Sequence, residues 1–154
     1  MEEQNYTHQL NRFLVEVFND ILKIEEDCLS RRCPDLSVRE MHLIEEVCRA
    51  VDQGRDNRPS AIAAAQRVTA GTLTVAVNQL EAKGYLQRAR DSGDKRSVRL
   101  LPTPKGREAE RSHAQFHREL VEAAVAGLSA EEAEVLARGL SGIAAFMREK
   151  GSAP

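Results

Sequence analysis

Thr72, Thr74, Val75, Asn78 and Gln79 are side chains of the kinds that meet the edge of a base pair. Threonine, asparagine and glutamine carry donors and acceptors, and Val75 or a threonine methyl can touch a thymine methyl, which is the chemistry a major groove displays. Their spacing sets them apart from Leu73, Val77 and Leu80, which recur at three and four residues like the buried stripe of a helix. A second group, Asp94, Lys95 and Arg96, falls in a turn-forming run from Asp91 to Arg96. Arginine there suits a phosphate or a narrow minor groove, with Asp94 placed to orient the guanidinium. A third group is His113 and His117, four residues apart on one helical face, a spacing that suits two imidazoles on one zinc ion. Each group also has a plainer reading: a solvated helix face, a soluble turn, and hydrogen-bonded structural histidines.

The elements that would position these groups are legible from their ends. Thr69 has a hydroxyl for an exposed amide at the start of the base-reading helix, and Gly84 closes it. Tyr85 to Arg90 and Ser97 to Leu101 read as two strands around the basic turn. Helix, glycine stop and basic hairpin together are the build of a winged helix-turn-helix that reads duplex DNA. Upstream, Phe13, Leu14, Val17, Phe18, Ile21, Leu22 and Leu29 mark a long amphipathic helix over about 7–31. Ser37 with Glu40 is a capping box for a second helix to about Val51, and Pro59 opens a third. The run Ala61 to Ala65, nearly all small residues, suggests close packing against the base-reading helix. Downstream, Thr103 caps a helix to about Ala126, and Ser129 with Glu132 begins a last one to about Glu149. Val135, Leu136, Leu140, Ile143 and Met147 give that last helix an apolar stripe too wide for a small solitary lobe, which predicts pairing with a second subunit. Ordinary intrachain core is the alternative. The expected fold is mainly α with a small β-hairpin: a winged helix-turn-helix domain over 35–101, an N-terminal dimerisation helix over 1–34 and C-terminal dimerisation helices over 102–154.

Charge supports a nucleic-acid face once it is resolved along the chain. The whole carries a formal −2, yet Arg55 to Arg99 holds nine basic residues against four acidic, leaving a strongly acidic remainder. With 154 residues, 42% of them hydrophobic, the chain can bury a core, and it has no apolar run fit to span a bilayer. The acidic, polar start from Met1 to Asn5 does not read as a signal peptide, so a cytoplasmic location without membrane association is expected. Cys28, Cys33 and Cys48 are an odd count, and reduced thiols are the default, a thiol switch at Cys28 and Cys33 being the weakest sensing option. No glycine-flanked nucleophile, phosphate loop or paired-carboxylate helix appears, and His113 lacks the following Glu of a zinc protease, so no enzyme is expected. A non-catalytic metal-binding or adaptor dimer is the rival class.

The run from Thr69 through Gly84, the Asp94-Lys95-Arg96 tip and the following Thr103-Pro104-Lys105-Gly106 resemble the MarR family of bacterial dimeric repressors. The resemblance spans about Arg12 to Lys150. Asn11 to Glu26, Leu36 to Val47, and Phe116-His117 leading to Gly127 to Glu132 look most like its branch that represses fatty-acid synthesis. The resemblance implies a homodimer on an inverted-repeat operator in double-stranded DNA, with a long-chain acyl group on acyl carrier protein as effector and no cofactor required. Phe18, Leu22, Leu29, Met41, Ile44, Phe116 and Leu120 would line the acyl slot, or serve as plain core, and Arg31 and Arg32 would attract the acidic carrier. Glu26, His42, His113 and His117 also look like the zinc site of a zinc-responsive branch, which makes a zinc-responsive repressor the alternative.

Overall fold

The computed structural model describes residues 2–90, Gly93 and 97–151. It opens with α1 (Glu2–Arg12), a π-helical stretch (Phe13–Val17) and α2 (Phe18–Arg32), where the sequence reads as one regular helix because its apolar periodicity runs through all three. Then come α3 (Val38–Asp52), α4 (Pro59–Gln66), α5 (Ala70–Ala82), the strands β1 (Leu86–Arg90) and β2 (Val98–Pro102), and two helices, α6 (Pro104–Val125) and α7 (Ala130–Gly151).

Local chemistry accounts for most of these ends. Ser37 Oγ accepts the Glu40 amide while the Glu40 carboxylate accepts the Ser37 amide, a reciprocal cap for α3. Pro59 starts α4, where its missing N–H costs nothing. Thr69 Oγ1 accepts the Thr72 amide at 3.1 Å and begins α5. Ser129 and Glu132 make the same reciprocal pair before α7. The hairpin is antiparallel with Leu86 opposite Pro102 and Arg90 opposite Val98, one residue later at its return than the sequence suggests.

The chain falls into two compact units, 1–116 and 117–154. Within the first unit α2 is tied to the helices behind it: Leu29 joins the buried core and the Glu25 carboxylate is buried at 3% exposure. In the first unit, Met41, Ile44 and Val47 of α3 pack with Ile62 of α4, with Leu73, Val77 and Leu80 of α5, and with Leu86 and Leu100 of the hairpin. Burying each such large side chain is worth about 1.5–3 kcal/mol, which is what holds α5 at a fixed angle. Of the run Ala61 to Ala65 in α4, Ile62 and Ala63 enter this core while Ala64 and Ala65 stay exposed.

Two polar devices lock the hairpin in place. Buried Asn57 exchanges backbone and side-chain bonds with Leu100, at 2.9 and 2.8 Å, and its Oδ1 accepts from Arg99 at 2.7 Å. Thr103 Oγ1 donates to the Gly84 carbonyl at 2.6 Å and accepts the Gly106 amide, capping α6 while joining it to the end of the α5 turn. Outside the core, the first unit leaves Tyr6, Leu10, Phe13, Leu14, Phe18 and Leu22 exposed. The second unit, which contains the end of α6 and all of α7, leaves Val135, Leu136, Leu140, Ile143 and Met147 between 37% and 61% exposed.

Candidate nucleic-acid interface

Helix α5 presents its predicted reading face to solvent. Leu73, Val77 and Leu80 are buried, and Thr72, Thr74, Val75, Asn78 and Gln79 are exposed. The hydroxyls are partly committed: Thr72 Oγ1 lies 2.9 Å from Thr69 Oγ1, and Thr74 Oγ1 donates to the Ala70 carbonyl at 2.8 Å. Their methyls and remaining lone pairs are left for a partner. Thr74 and Asn78 stand one turn apart on the outer side. Thr72, Val75 and Gln79 instead border a groove of about 960 Å³, lined on its other side by Ser37, Arg39 and His42 among others. Arg39 escaped the sequence reading because it lies far outside the 69–99 segment, and only folding brings the start of α3 beside α5.

Internal pairing thins the basic surplus of Arg55 to Arg99. Arg55 pairs with Glu46 at 3.0 Å, Arg58 with Asp56 at 2.5 Å, Lys83 with Glu40 at 2.7 Å, and Arg88 with Glu81. Glu46 and Glu40 lie outside the segment, so a count along the sequence could not see them. Arg67 and Arg90 are exposed and make no ion pair with any described residue. Asp94, Lys95 and Arg96, the expected hairpin tip, lie outside the described residues.

The histidine group is assembled differently from the expectation. His42 Nε2 and His113 Nε2 each lie 3.0 Å from Glu25 Oε1, and His113 Nδ1 is 2.7 Å from Glu45 Oε1. Glu26, the expected carboxylate, is exposed; the phase of α2 turns its neighbour Glu25 inward instead. His117 is half-buried one helical turn beyond His113 on α6. Burial pushes the His113 pKa down, but the Glu45 hydrogen bond and the charges of Glu45 and Glu25 outweigh it and hold the imidazole above its ordinary value.

The side chains expected to line an acyl slot stand in different settings. Leu29, Met41 and Ile44 are consumed by the core, Phe18 and Leu22 are exposed, and Leu120 belongs to the second unit. A small pocket beside Cys28, Leu29, Cys33 and Phe116 holds about 10 Å³, room for roughly one water. Arg32 donates to the Ser112 carbonyl and hydroxyl, while Arg31 is exposed. Burial raises the Cys33 thiol pKa, as does Asp35, and burial pushes Cys48 up to about 11, so neither is a ready thiolate.

A capped helix with an outward amide-bearing face, seated on a helix pair and flanked by an antiparallel hairpin, defines a winged helix-turn-helix DNA-binding protein. The MarR family model matches residues 51–98. The crystal structure of Streptococcus pneumoniae FabT in complex with DNA is 38% identical, with a TM-score of 0.80 over 93% of this chain and 98% of that one. The Staphylococcus aureus MepR–DNA complex shares the fold at 18% identity and a TM-score of 0.70, over 89% of this chain and 95% of that one. The regulator BldR from Sulfolobus solfataricus is 26% identical with a TM-score of 0.61, over 95% and 99%. Comparison with curated protein sequences gives no match. The chain belongs to the MarR family and is a DNA-binding transcriptional regulator of that type.

Proposed function

We propose that the protein is a cytoplasmic homodimeric repressor that binds an inverted-repeat operator and controls fatty-acid synthesis in response to a long-chain acyl group. The observation that carries the dimer is the solvent-exposed apolar surface on α1 and α2 and, separately, on α7. Such surfaces are uncommon on a monomer and suit a two-fold partner. Two copies of α5 about 34 Å apart would enter successive major grooves, so the operator reads as a palindrome. Thr69, Thr72, Thr74, Val75, Asn78 and Gln79 would contact the groove, and Asp94, Lys95 and Arg96 the flank. The fatty-acid assignment is supported by the 38% identity to FabT over nearly the full chain. Because the aliphatic side chains behind α2 are already packed, an acyl chain would have to part α2 from α3 to enter, which would make the effector a lever on helix geometry. Mobility shifts with duplexes from upstream of the host's fatty-acid synthesis genes, with and without long-chain acyl carrier protein, test this. A shift that responds to the acylated carrier but not to the unacylated one is expected, and indifference to both counts against the effector.

A second reading rests on the buried Glu25 carboxylate between His42 and His113. Nitrogen and oxygen donors of this kind suit zinc, with Glu25 taking the place expected for Glu26. Metal analysis of protein purified without chelator, then DNA titration with and without added zinc, separates this sensor from the acyl one.

A further inference from the structure

Arg67 is the only non-glycine with a positive φ among the described residues, at φ 53° and ψ 42°. The chain uses glycine at its two other positive-φ positions, Gly54 and Gly84. In the turn that closes α4, the Arg67 amide donates to the Ala64 carbonyl at 3.1 Å and the Val68 amide to the Ala63 carbonyl at 3.0 Å. Glycine would make both bonds without the clash that a Cβ brings to left-handed backbone. Strain kept at a surface turn points to a use for the side chain. That side chain is exposed, two residues ahead of the Thr69 cap, and forms no ion pair with a described residue. Arg55, Arg58, Lys83 and Arg88 are by contrast held by carboxylates of the chain itself.

We propose that Arg67 is a DNA-backbone contact: its guanidinium grips a phosphate on the wall of the major groove that α5 enters. The turn immediately before a helix seated in that groove passes the sugar-phosphate wall, and a guanidinium matches a phosphate with two parallel hydrogen bonds. The contact fixes register without reading sequence, so the strained turn contributes affinity and leaves base choice to Asn78 and its neighbours. This rests on DNA binding by the wild type, which the same experiment measures first.

The test is fluorescence anisotropy with a labelled mixed-sequence duplex and a labelled promoter duplex, titrated at several salt concentrations. The proteins compared are wild type, Arg67→Gly, Arg67→Lys and, as a charge-matched control on α6, Arg111→Gln. Arg67→Gly is expected to weaken both duplexes by a similar factor of roughly ten, and to flatten the slope of log affinity against log salt by about one for each phosphate left without its guanidinium. Its Tm should equal or exceed that of wild type, because the left-handed strain is gone. Arg67→Lys keeps the charge and should keep the slope, and Arg111→Gln should change neither affinity nor slope. Wild-type affinity and slope in Arg67→Gly, the same weakening in Arg111→Gln, a lowered Tm in Arg67→Gly, or an equally shallow slope in Arg67→Lys would each overturn the proposal. Failure of the wild type to bind either duplex would instead sink DNA binding itself.

Discussion

A carboxamide that reads adenine must present a donor and an acceptor at once, and the Asn78 side chain is exposed on the outer side of α5 without a hydrogen bond to any described residue. Asn78→Ala should therefore reduce discrimination between the operator and single-base variants by about 1–3 kcal/mol, while mixed-sequence binding changes little. Competition assays with a panel of variant duplexes would show it; a uniform loss on every duplex would assign Asn78 to the backbone instead. Behind the reading face, His113 sets a different kind of dependence. Its folded pKa is held above the ordinary value of 6.5 by Glu45 and Glu25. A raised imidazole pKa favours the folded state fully in solutions more acidic than 6.5, and that stabilisation fades as the pH climbs through the higher folded value. Thermal melts should show Tm falling across that alkaline-going range, and His113→Gln, which cannot titrate, should flatten the trend. A wild-type profile that rises with pH over the same interval would contradict the pairing.

At the scale of elements, the joint between α5, the hairpin and α6 depends on one close approach. A Cβ on Gly106 would sit 2.2 Å from the Tyr85 carbonyl oxygen, which is backbone and cannot swing away. Gly106→Ala should push the start of α6 off the hairpin and destabilise the fold by about 1–3 kcal/mol, roughly 2–4 °C of Tm for each. Differential scanning calorimetry measures it, and an unchanged Tm would mean the joint yields freely. Much of this architecture was legible because caps are local: Ser37, Pro59, Thr69 and Ser129 mark helix starts with chemistry confined to a few residues. What escaped depends on packing between distant segments. The phase of α2 brings Glu25 rather than Glu26 to the histidines, because a step of one residue turns a side chain by about 100° and only the facing helices choose. Leu29, Met41 and Ile44 have the same apolar character whether they line a slot or fill a core, and the core claims them. Propensity alone would place glycine where Arg67 closes α4.

At the scale of the whole molecule, the operator binding proposed here depends on a second copy. A single α5 spans only a few base pairs, and tethering two of them converts the second engagement into an intramolecular step worth a factor of about 10² to 10⁴ in affinity. The side chains proposed to join the copies are apolar and exposed, Phe13, Phe18 and Leu22 on the first unit and Leu140 and Ile143 on the second. Placing a carboxylate at an exposed position leaves the winged domain's own core intact, since Leu140 is 48% exposed and lies outside the buried cluster. The double variant Leu140→Asp, Ile143→Asp should therefore keep the helical circular dichroism of the wild type, elute as a monomer in size-exclusion chromatography, and lose about two orders of magnitude or more in affinity for a palindromic duplex. Its affinity for a single half-site should stay near that of one wild-type lobe, because α5 and the hairpin are untouched. A variant that still elutes as a dimer would move the interface away from α7. One that is monomeric yet binds the palindrome as the wild type does would show that each copy reads its half independently.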